Sequence, residues 1–317
     1  MTLIATRDLT KTFPQVTALD SLTIDVEAGV TGLVGANGAG KSTLIKILLG
    51  LLPATSGSAS VLGLDVAREG TQIRAQVGYM PEHDCLPPDV SATELVVHLA
   101  RISGLPPDAA RERSADILRH VGLAEERYRP IGGYSTGMRQ RVKLAQAIVH
   151  DPELVFLDEP TNGLDPLGRD DMLALIRRIG SEFGIAVLVT SHLLGELERT
   201  SDNIVVIDAG RLLRASSTAD FTQTTGILTV EVQDLVGGAS PRDRLGQALA
   251  EKDLRVTPGA AGVLRVEIVD ESTYDIVRDV VAELGLGLVR LQQARHRIED
   301  IFTADMATEG APHGDPA

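Results

Sequence analysis

The sequence predicts an α/β fold with a mostly parallel sheet, followed by a smaller α+β domain. Val30–Val34, Leu154–Leu157 and Ile185–Thr190 are short apolar runs without alternation, which is typical of strands buried on both faces of a sheet. Pro166–Phe183 lies between the last two runs and has the apolar spacing of a helix. Beyond residue 215 the pattern changes to alternating strands and helices of a second domain.

Composition excludes several classes of protein. The 317 residues carry 30 Lys and Arg against 44 Asp and Glu, a net charge of −14, and 43% are hydrophobic. The chain can therefore bury a core, whereas an acidic balance disfavours non-specific binding to nucleic acid or to anionic membranes. No apolar run approaches the ~20 residues of a bilayer-spanning helix, and we see no signal-peptide pattern. With Cys85 as the single cysteine, we expect a soluble, cytosolic protein without an internal disulfide.

A glycine-rich segment follows the first buried run. Gly35–Ser42 fits the pattern G-x-x-x-x-G-K-[ST], between the strand Val30–Val34 and a predicted helix over Ser42–Leu51. Its glycines let backbone N–H groups turn towards phosphate oxygens. Lys41 can reach the β- and γ-phosphates, and the Ser42 hydroxyl can bind Mg²⁺. The segment therefore predicts a phosphate-binding loop.

Two carboxylates end the second buried run. Asp158 and Glu159 directly follow Leu154–Leu157. An Asp at the end of a buried strand can hold Mg²⁺, and the adjacent Glu can orient or deprotonate a water molecule.

Residues 87–150 are helix-rich and predict a helical insertion into the α/β domain. Ser91 precedes Glu94 by three residues, which is the pattern of a capping box. A second helix is expected over Asp108–His120, where Gly122 can end it.

The end of the first domain is predicted from a hairpin and a polar linker. Ile204–Ile207 and Arg211–Leu213 flank Asp208-Ala209-Gly210, and Ser216–Thr218 would form the linker. Residues 220–305 then predict a domain of βαββαβ order, which suggests a ferredoxin-like fold, before a flexible tail over 306–317. Its elements are strands at Leu228–Val232, Leu254–Val256, Val263–Val269 and Leu288–Leu291, with helices at Arg242–Glu251 and Tyr274–Leu284.

One further segment indicates which family of proteins the first domain resembles. Tyr134–Arg141 reads YSTGMRQR and precedes Asp158 at close range. With it, residues 1–215 resemble the ATP-binding cassette (ABC) ATPases almost end to end. The resemblance implies ATP contacts at Phe13 (stacking on adenine), Gly35, Ala36, Asn37, Gly38, Ala39, Gly40, Lys41, Ser42 and Thr43. It implies Mg²⁺ binding by Ser42, Glu82 and Asp158, catalytic roles for Glu159 and His192, a signature loop of Ser135, Thr136 and Gly137, and a D-loop at Asp165.

The residues of two motifs are similar to those of one branch of that family. Gly78–Glu82 and Tyr134–Arg141 are similar to the ABC-2-type exporters, which include the daunorubicin-resistance-like drug exporters. Such ATPases commonly carry a C-terminal extension. The segment Ile298–Phe302 resembles the end of that extension. The resemblance implies a head-to-tail dimer with a second copy or a related cassette. It also implies a separate polytopic permease, which holds the ATPase at the inner face of the cell membrane.

Two departures from the general family pattern stand out. Glu82 replaces the usual Gln, which places a carboxylate near the metal and the γ-phosphate, and Thr136 and Met138 replace Gly and Gln. Ser135 and Gly137, the positions expected to contact phosphate, are retained. Residues 83–90 are expected to meet the membrane subunit.

Three other functions remain open at this point. The main alternative is a soluble, non-transport ABC ATPase that acts on ribosomes or nucleic acid. Ribosome-acting relatives usually carry two cassettes in one chain. DNA-acting relatives insert long coiled-coil arms between the phosphate-binding loop and the strand that corresponds to Leu154–Leu157. Neither feature is present in this sequence. An importer ATPase is disfavoured by Glu82 and the signature spelling, and a nucleotide sensor without turnover is the third possibility.

Overall fold

The computed structural model describes residues 2–221, 224–234, 240–259, 263–270 and 272–295. The chain divides between Thr218 and Ala219 into two units. The expected extension end at Ile298–Phe302 and the tail over 306–317 lie outside the described residues.

The described strands and helices are as follows. The strands are β1 (Thr2–Phe13), β2 (Val16–Leu22), β3 (Asp25–Glu27), β4 (Val30–Val34), β5 (Ser56–Val61), β6 (Leu64–Asp65), β7 (Val77–Met80), β8 (Leu154–Leu157), β9 (Ala186–Ser191), β10 (Asn203–Asp208), β11 (Arg211–Ser217), β12 (Thr224–Asp234), β13 (Val256–Pro258), β14 (Leu264–Glu267) and β15 (Leu286–Arg295). The helices are α1 (Lys41–Leu48), α2 (Val66–Gln76), α3 (Ala92–Ile102), α4 (Pro107–His120), α5 (Thr136–Ile148), α6 (Pro166–Glu182), α7 (Leu194–Glu198), α8 (Thr218–Phe221), α9 (Pro241–Ala250) and α10 (Ser272–Glu283).

The central sheet of the first unit has the order β11-β10-β4-β9-β8-β7. All its pairings are parallel except the β10–β11 hairpin. Every residue of β4, β8 and β9 is buried, which explains why these strands are apolar without alternation. The predicted mostly parallel sheet is therefore confirmed.

A second, antiparallel sheet of the first unit was not predicted from the sequence. Its order is β2-β1-β5-β6, with β3 also paired to β1. The register of β1 against β2 shifts around Lys11, so the strand does not keep a simple alternation of buried and exposed residues. Ile4, Leu9 and Leu19 nevertheless enter the same apolar core as α1.

The helical insertion begins as predicted. Ser91 caps α3, because its hydroxyl accepts from the Glu94 N–H at 3.2 Å and the Glu94 carboxylate accepts from the Ser91 N–H at 2.8 Å. Gly122, with φ of +80°, follows α4 in a left-handed conformation that favours glycine. The insertion continues to α5, whose last turns pack beside β7.

The second unit follows the predicted βαββαβ order. Its antiparallel sheet has the strand order β13-β14-β12-β15, and α9 and α10 pack on it through Leu245, Leu249 and Val277. The linker prediction was wrong: Ser216 and Ser217 lie in β11, where they pair with Ile204 and Asn203. Small polar residues indicate a linker by composition, but their backbones can still complete a ladder. Across the described residues, no helix has the length and apolarity needed to span a bilayer.

Gly78→Ala should destabilise the first unit by about 3 kcal/mol. A Cβ at Gly78 would overlap the Ala147 carbonyl oxygen, so β7 and α5 would have to separate. Denaturant unfolding measures the change. Gly195→Ala on α7 is the matched control, because nothing lies within 4 Å of its added Cβ. Equal stability of both variants would contradict this close packing.

Candidate nucleotide-binding site

A cleft of about 280 Å³ opens where the parallel strands of the central sheet end. Its lining comes from the β4–α1 loop, from the segment after β7 and from the segment after β8. Ligands of open α/β sheets bind outside the carboxyl ends of the strands, which is where this cleft lies. The lining residues are Ala36, Asn37, Gly38, Gly40, Lys41, Ser42, Thr43, Glu82 and Glu159.

The β4–α1 loop has the backbone of an anion-binding loop. Gly38 and Gly40 adopt φ of +88° and +103°, which L side chains rarely adopt. Gly35 is required by packing, because an added Cβ would lie 2.5 Å from the Ile207 carbonyl oxygen. The Lys41 ammonium donates to the Gly35 carbonyl at 2.7 Å and lies at the start of α1, whose free N–H groups favour negative charge.

Asp158 is the most enclosed carboxylate beside this loop. It is 2% exposed, and its Oδ1 accepts from the Ser42 hydroxyl at 3.2 Å and from the Thr190 hydroxyl at 2.9 Å. Burial raises the pKa of Asp158, the two hydroxyls lower it, and the nearby Glu82 and Glu159 raise it again. The carboxylate and the Ser42 hydroxyl together offer oxygen ligands of the kind that Mg²⁺ binds.

Thr190 also fixes the next residue, Glu159. Its hydroxyl oxygen accepts a hydrogen bond from the Glu159 N–H at 2.8 Å, and the same hydroxyl donates one to Asp158 Oδ1. This bond holds Glu159 at a φ of +48°, an uncommon value for a residue other than glycine. Sequence reasoning missed Thr190, because a threonine inside a buried β-branched strand looks like any other strand residue.

The Glu159 side chain lies between two cationic or ionisable groups. Its Oε1 is 3.2 Å from the Lys41 ammonium, and its Oε2 is 2.9 Å from His192 Nδ1. Glu159 is buried, whereas the His192 side chain is 41% exposed. The structure thus brings together three residues that the sequence placed in separate motifs.

Glu82 occupies the position between the cleft and the helical insertion. Its Oε1 accepts from the Asn162 side-chain amide at 3.3 Å, and its backbone carbonyl accepts from the Lys143 ammonium at 2.8 Å. Neither partner was singled out from the sequence. Asn162 lies in a polar turn, and Lys143 occupies a helix where a charged residue normally faces solvent.

The signature and D-loop residues are not among those that line the cleft. Ser135 caps α5 by accepting from the Met138 N–H at 3.3 Å, and both Ser135 and Thr136 are exposed. An added Cβ at Gly137 would meet nothing closer than 3.8 Å, so the start of α5 is open. Asp165 caps α6 through the Gly168 N–H at 3.2 Å.

Phe13 lies at the end of β1, outside the cleft lining. Phe13 is 37% exposed, and the Lys11 ammonium is 5.2 Å from the centroid of its ring. An exposed aromatic face of this kind can stack on a flat ligand.

A buried carboxylate joins the turns that follow β8 and β9. Glu196 is 6% exposed, and its Oε2 accepts from Thr161 Oγ1 at 2.8 Å and from Ser191 Oγ at 3.2 Å. Ser191 in turn accepts from the Leu193 N–H at 2.9 Å, which shapes the backbone around His192. This connection could not be read from the sequence, because Thr161 and Glu196 are far apart along the chain.

The chain is similar to known proteins of one family. The family model described as ABC transporter matches residues 19–162. The bacitracin transport ATP-binding protein BcrA of Bacillus licheniformis is 38% identical over 213 residues, which cover 67% of this chain and 69% of the relative. The daunorubicin/doxorubicin resistance ATP-binding protein DrrA of Streptomyces peucetius is 37% identical, covering 73% and 71%.

Solved structures are similar in fold. The cbiO1 protein of Clostridium perfringens, part of the ABC transporter complex cbiONQ, has a TM-score of 0.63 at 27% identity and covers 69% of this chain and 90% of its own. The dimeric structure of MJ0796, a bacterial ABC transporter cassette, has a TM-score of 0.63 at 23% identity and covers 68% and 99%.

Thr190→Val should lower the turnover of ATP at least about tenfold and destabilise the unit by about 2 kcal/mol. The variant leaves the Glu159 N–H unsatisfied and removes a bond that favours ionised Asp158. The pKa of Asp158 should therefore rise further, so activity should be lost at a higher pH as the solution is acidified. Turnover against pH and denaturant unfolding are the measurements.

Thr31→Val is the matched control for this substitution, and Thr190→Ser the rescue. Thr31 is 1% exposed on β4, and within the described residues its hydroxyl has no hydrogen-bond partner. If Thr190→Val behaved like Thr31→Val, the Thr190 hydroxyl would have no role in holding the two carboxylates.

Proposed function

The chain belongs to the ABC transporter ATP-binding proteins, and from this premise we propose that its ATPase drives export through a separate membrane permease. The observation that supports this function most directly is the position of the Glu159 side chain, which lies between Lys41 of the phosphate loop and His192. A base beside a phosphate loop, itself oriented by a histidine, is the arrangement that hydrolysis of a terminal phosphate needs.

The phosphate loop binds the triphosphate. N–H groups of Gly38–Ser42 and the Lys41 ammonium surround the β- and γ-phosphates, and the N-terminus of α1 adds favourable potential. The buried Asp158 and its partner Ser42 fit a magnesium ion, since both present hard oxygen atoms beside this loop. When bound, Mg²⁺ would neutralise charge on the β- and γ-phosphate oxygens.

Glu159 and His192 act on the attacking water and the γ-phosphate. The Glu159 carboxylate orients the water and accepts its proton, and the Thr190 bond fixes the backbone from which it works. His192 is partly exposed and contacts Glu159, so it can hold the base in place and donate to the γ-phosphate. Little covalent chemistry is required of the protein, because positioning and charge stabilisation supply most of the catalysis.

A second copy would complete each site as a head-to-tail homodimer. The start of α5 carries exposed Ser135 and Thr136 and an uncrowded Gly137, yet it does not line its own cleft. Backbone N–H groups at the start of this 13-residue helix suit the phosphate of a nucleotide held by the other copy. Asp165, at the start of α6, would lie at the same contact, and Phe13 would stack on the adenine ring.

The membrane partner is a polytopic permease, which would hold this chain at the cytoplasmic face of the cell membrane. Three relatives are named for bacitracin transport, daunorubicin/doxorubicin resistance and linearmycin resistance, which supports export over import. Residues 83–90 connect Glu82 of the cleft to α3 and are mostly exposed, so we assign them to the contact with the permease. The relatives do not favour the alternative of a ribosome- or nucleic-acid-acting ATPase.

Glu159→Gln should lower the turnover of ATP by about 100-fold or more, because the amide cannot accept the proton of water. ATP should still bind, and the variant should accumulate as an ATP-dependent dimer in gel filtration with light scattering. Glu182→Gln, at an exposed carboxylate of α6, is the control and should turn over ATP normally. Unchanged turnover in Glu159→Gln would remove Glu159 from catalysis.

The same variant tests the transport function. Purified from detergent-solubilised native membranes in the presence of ATP, it should carry a polytopic membrane protein in stoichiometric amount. Recovery with ribosomes or nucleic acid instead would favour the non-transport alternative, while leaving the ATPase assignment intact.

A further inference from the structure

A buried lysine in the first unit has no part in the mechanism above. Lys143 on α5 is 2% exposed, and of the lysines that the structure describes only Lys41 is also buried. Burying an ammonium group is strongly unfavourable unless nearby acceptors and negative charges compensate it. Desolvation by burial lowers the pKa of Lys143 below its usual value, and electrostatic interactions with Cys85, Asp84, Glu82 and Asp158 offset only part of that shift.

The ammonium group contacts the segment that precedes the helical insertion. Lys143 Nζ donates to the Glu82 carbonyl oxygen at 2.8 Å. Arg139 Nε lies 3.7 Å from Asp84, and Gln146 Nε2 lies 3.7 Å from Cys85 Sγ. Residues 139, 143 and 146 are spaced to share one face of a helix, so one face of α5 holds residues 82–85.

The Glu82 side chain is tied to the same helix by a second route. Asn162 donates its side-chain amide to Glu82 Oε1 at 3.3 Å, and the Asn162 carbonyl accepts from Gln140 Nε2 at 3.1 Å. Gln140 lies one turn before Lys143 on α5. Main chain and side chain of Glu82 are thus both positioned from the helix that begins at the signature residues.

This contact carries charge as well as geometry. Glu82 and Glu159 both line the cleft, and both act electrostatically on buried Asp158. The phosphates of a bound triphosphate would add several more negative charges to this cleft. The Lys143 ammonium contacts the Glu82 backbone carbonyl and acts electrostatically on the Glu82 carboxylate, which offsets part of this repulsion. Water screens little of this interaction because Lys143 is buried.

We propose that Lys143 is a positioning residue that holds Glu82 and compensates its carboxylate, so that this glutamate can stand beside the phosphates of a bound nucleotide. The proposal rests on the proposed function, because it takes the cleft as the ATP site. It accounts for the departure at position 82: a carboxylate is tolerated there because α5 places a buried cation behind it.

A double-mutant cycle tests the proposal on the full chain. The four proteins are wild type, Lys143→Met, Glu82→Gln and the double variant, and the measurement is the Kd of ATP in EDTA by titration calorimetry. Lys143→Met should weaken binding about tenfold when Glu82 is present, because the carboxylate then repels the phosphates uncompensated. In the Glu82→Gln background the same change should cost less than about threefold.

Two further variants separate charge from other effects. Lys143→Gln retains a hydrogen-bond donor for the Glu82 carbonyl but lacks the charge, and it should weaken binding as Lys143→Met does. Lys46→Met removes a lysine from the exposed face of α1 and is the control for net charge, with little expected change.

The outcomes are distinct. Equal costs of Lys143→Met in the wild-type and Glu82→Gln backgrounds would overturn the inference, since a merely structural lysine acts independently of that carboxylate. Absence of ATP binding by the wild type both in EDTA and with Mg²⁺ would overturn the proposed function instead. If Lys143→Met does not fold alone, thermal unfolding of the double variant decides: recovered folding supports the pairing, and unfolding in both backgrounds contradicts it.

Discussion

The structure of the first unit depends on one electrostatic constraint, the gathering of negative charge at the end of the parallel sheet. Glu82, Asp158 and Glu159 all approach the loop to which we assign phosphate binding. Such a site is stable only when cations and hydrogen-bond donors compensate every carboxylate. Lys41 pairs with Glu159, and the hydroxyls of Ser42 and Thr190 satisfy Asp158. The same donors prepare the cleft for a nucleotide, since groups that compensate carboxylates also compensate phosphates.

The compensating groups tie distant parts of the unit to the cleft. Helix α5 begins at the signature residues and reaches Glu82 through Lys143, while Asn162 bridges Glu82 to the turn after β8. Glu196 joins that turn to the strand end at Ser191, next to His192. Binding of a second copy at the start of α5 would therefore act on residues that line the proposed nucleotide cleft. Contacts of this kind are the physical links through which closure of two cassettes and catalysis can be coupled.

The sequence predicted what depends on short, local patterns. The phosphate loop, the carboxylate pair at the end of β8 and the capping box at Ser91 each lie within a few residues, so their chemistry could be inferred directly. The antiparallel sheet of β1, β2, β5 and β6 was missed because its strands mix polar and apolar residues and carry a register shift. Thr190 and Lys143 were missed for a different reason. Their partners lie more than thirty residues away in the chain, so only the folded structure shows that they serve the site.

Cysteine crosslinking tests most directly the proposal that two copies of the chain share each nucleotide site. In a Cys85→Ser background, one chain carries Asn37→Cys in the phosphate loop and the other carries Thr136→Cys at the start of α5, both exposed positions. With Glu159→Gln in both chains to retain ATP, oxidation should join the two chains when ATP is present and should not do so without it. An equal yield of crosslinked chains with and without ATP would contradict the shared site. Absence of crosslinking between chains that bind ATP would contradict it as well.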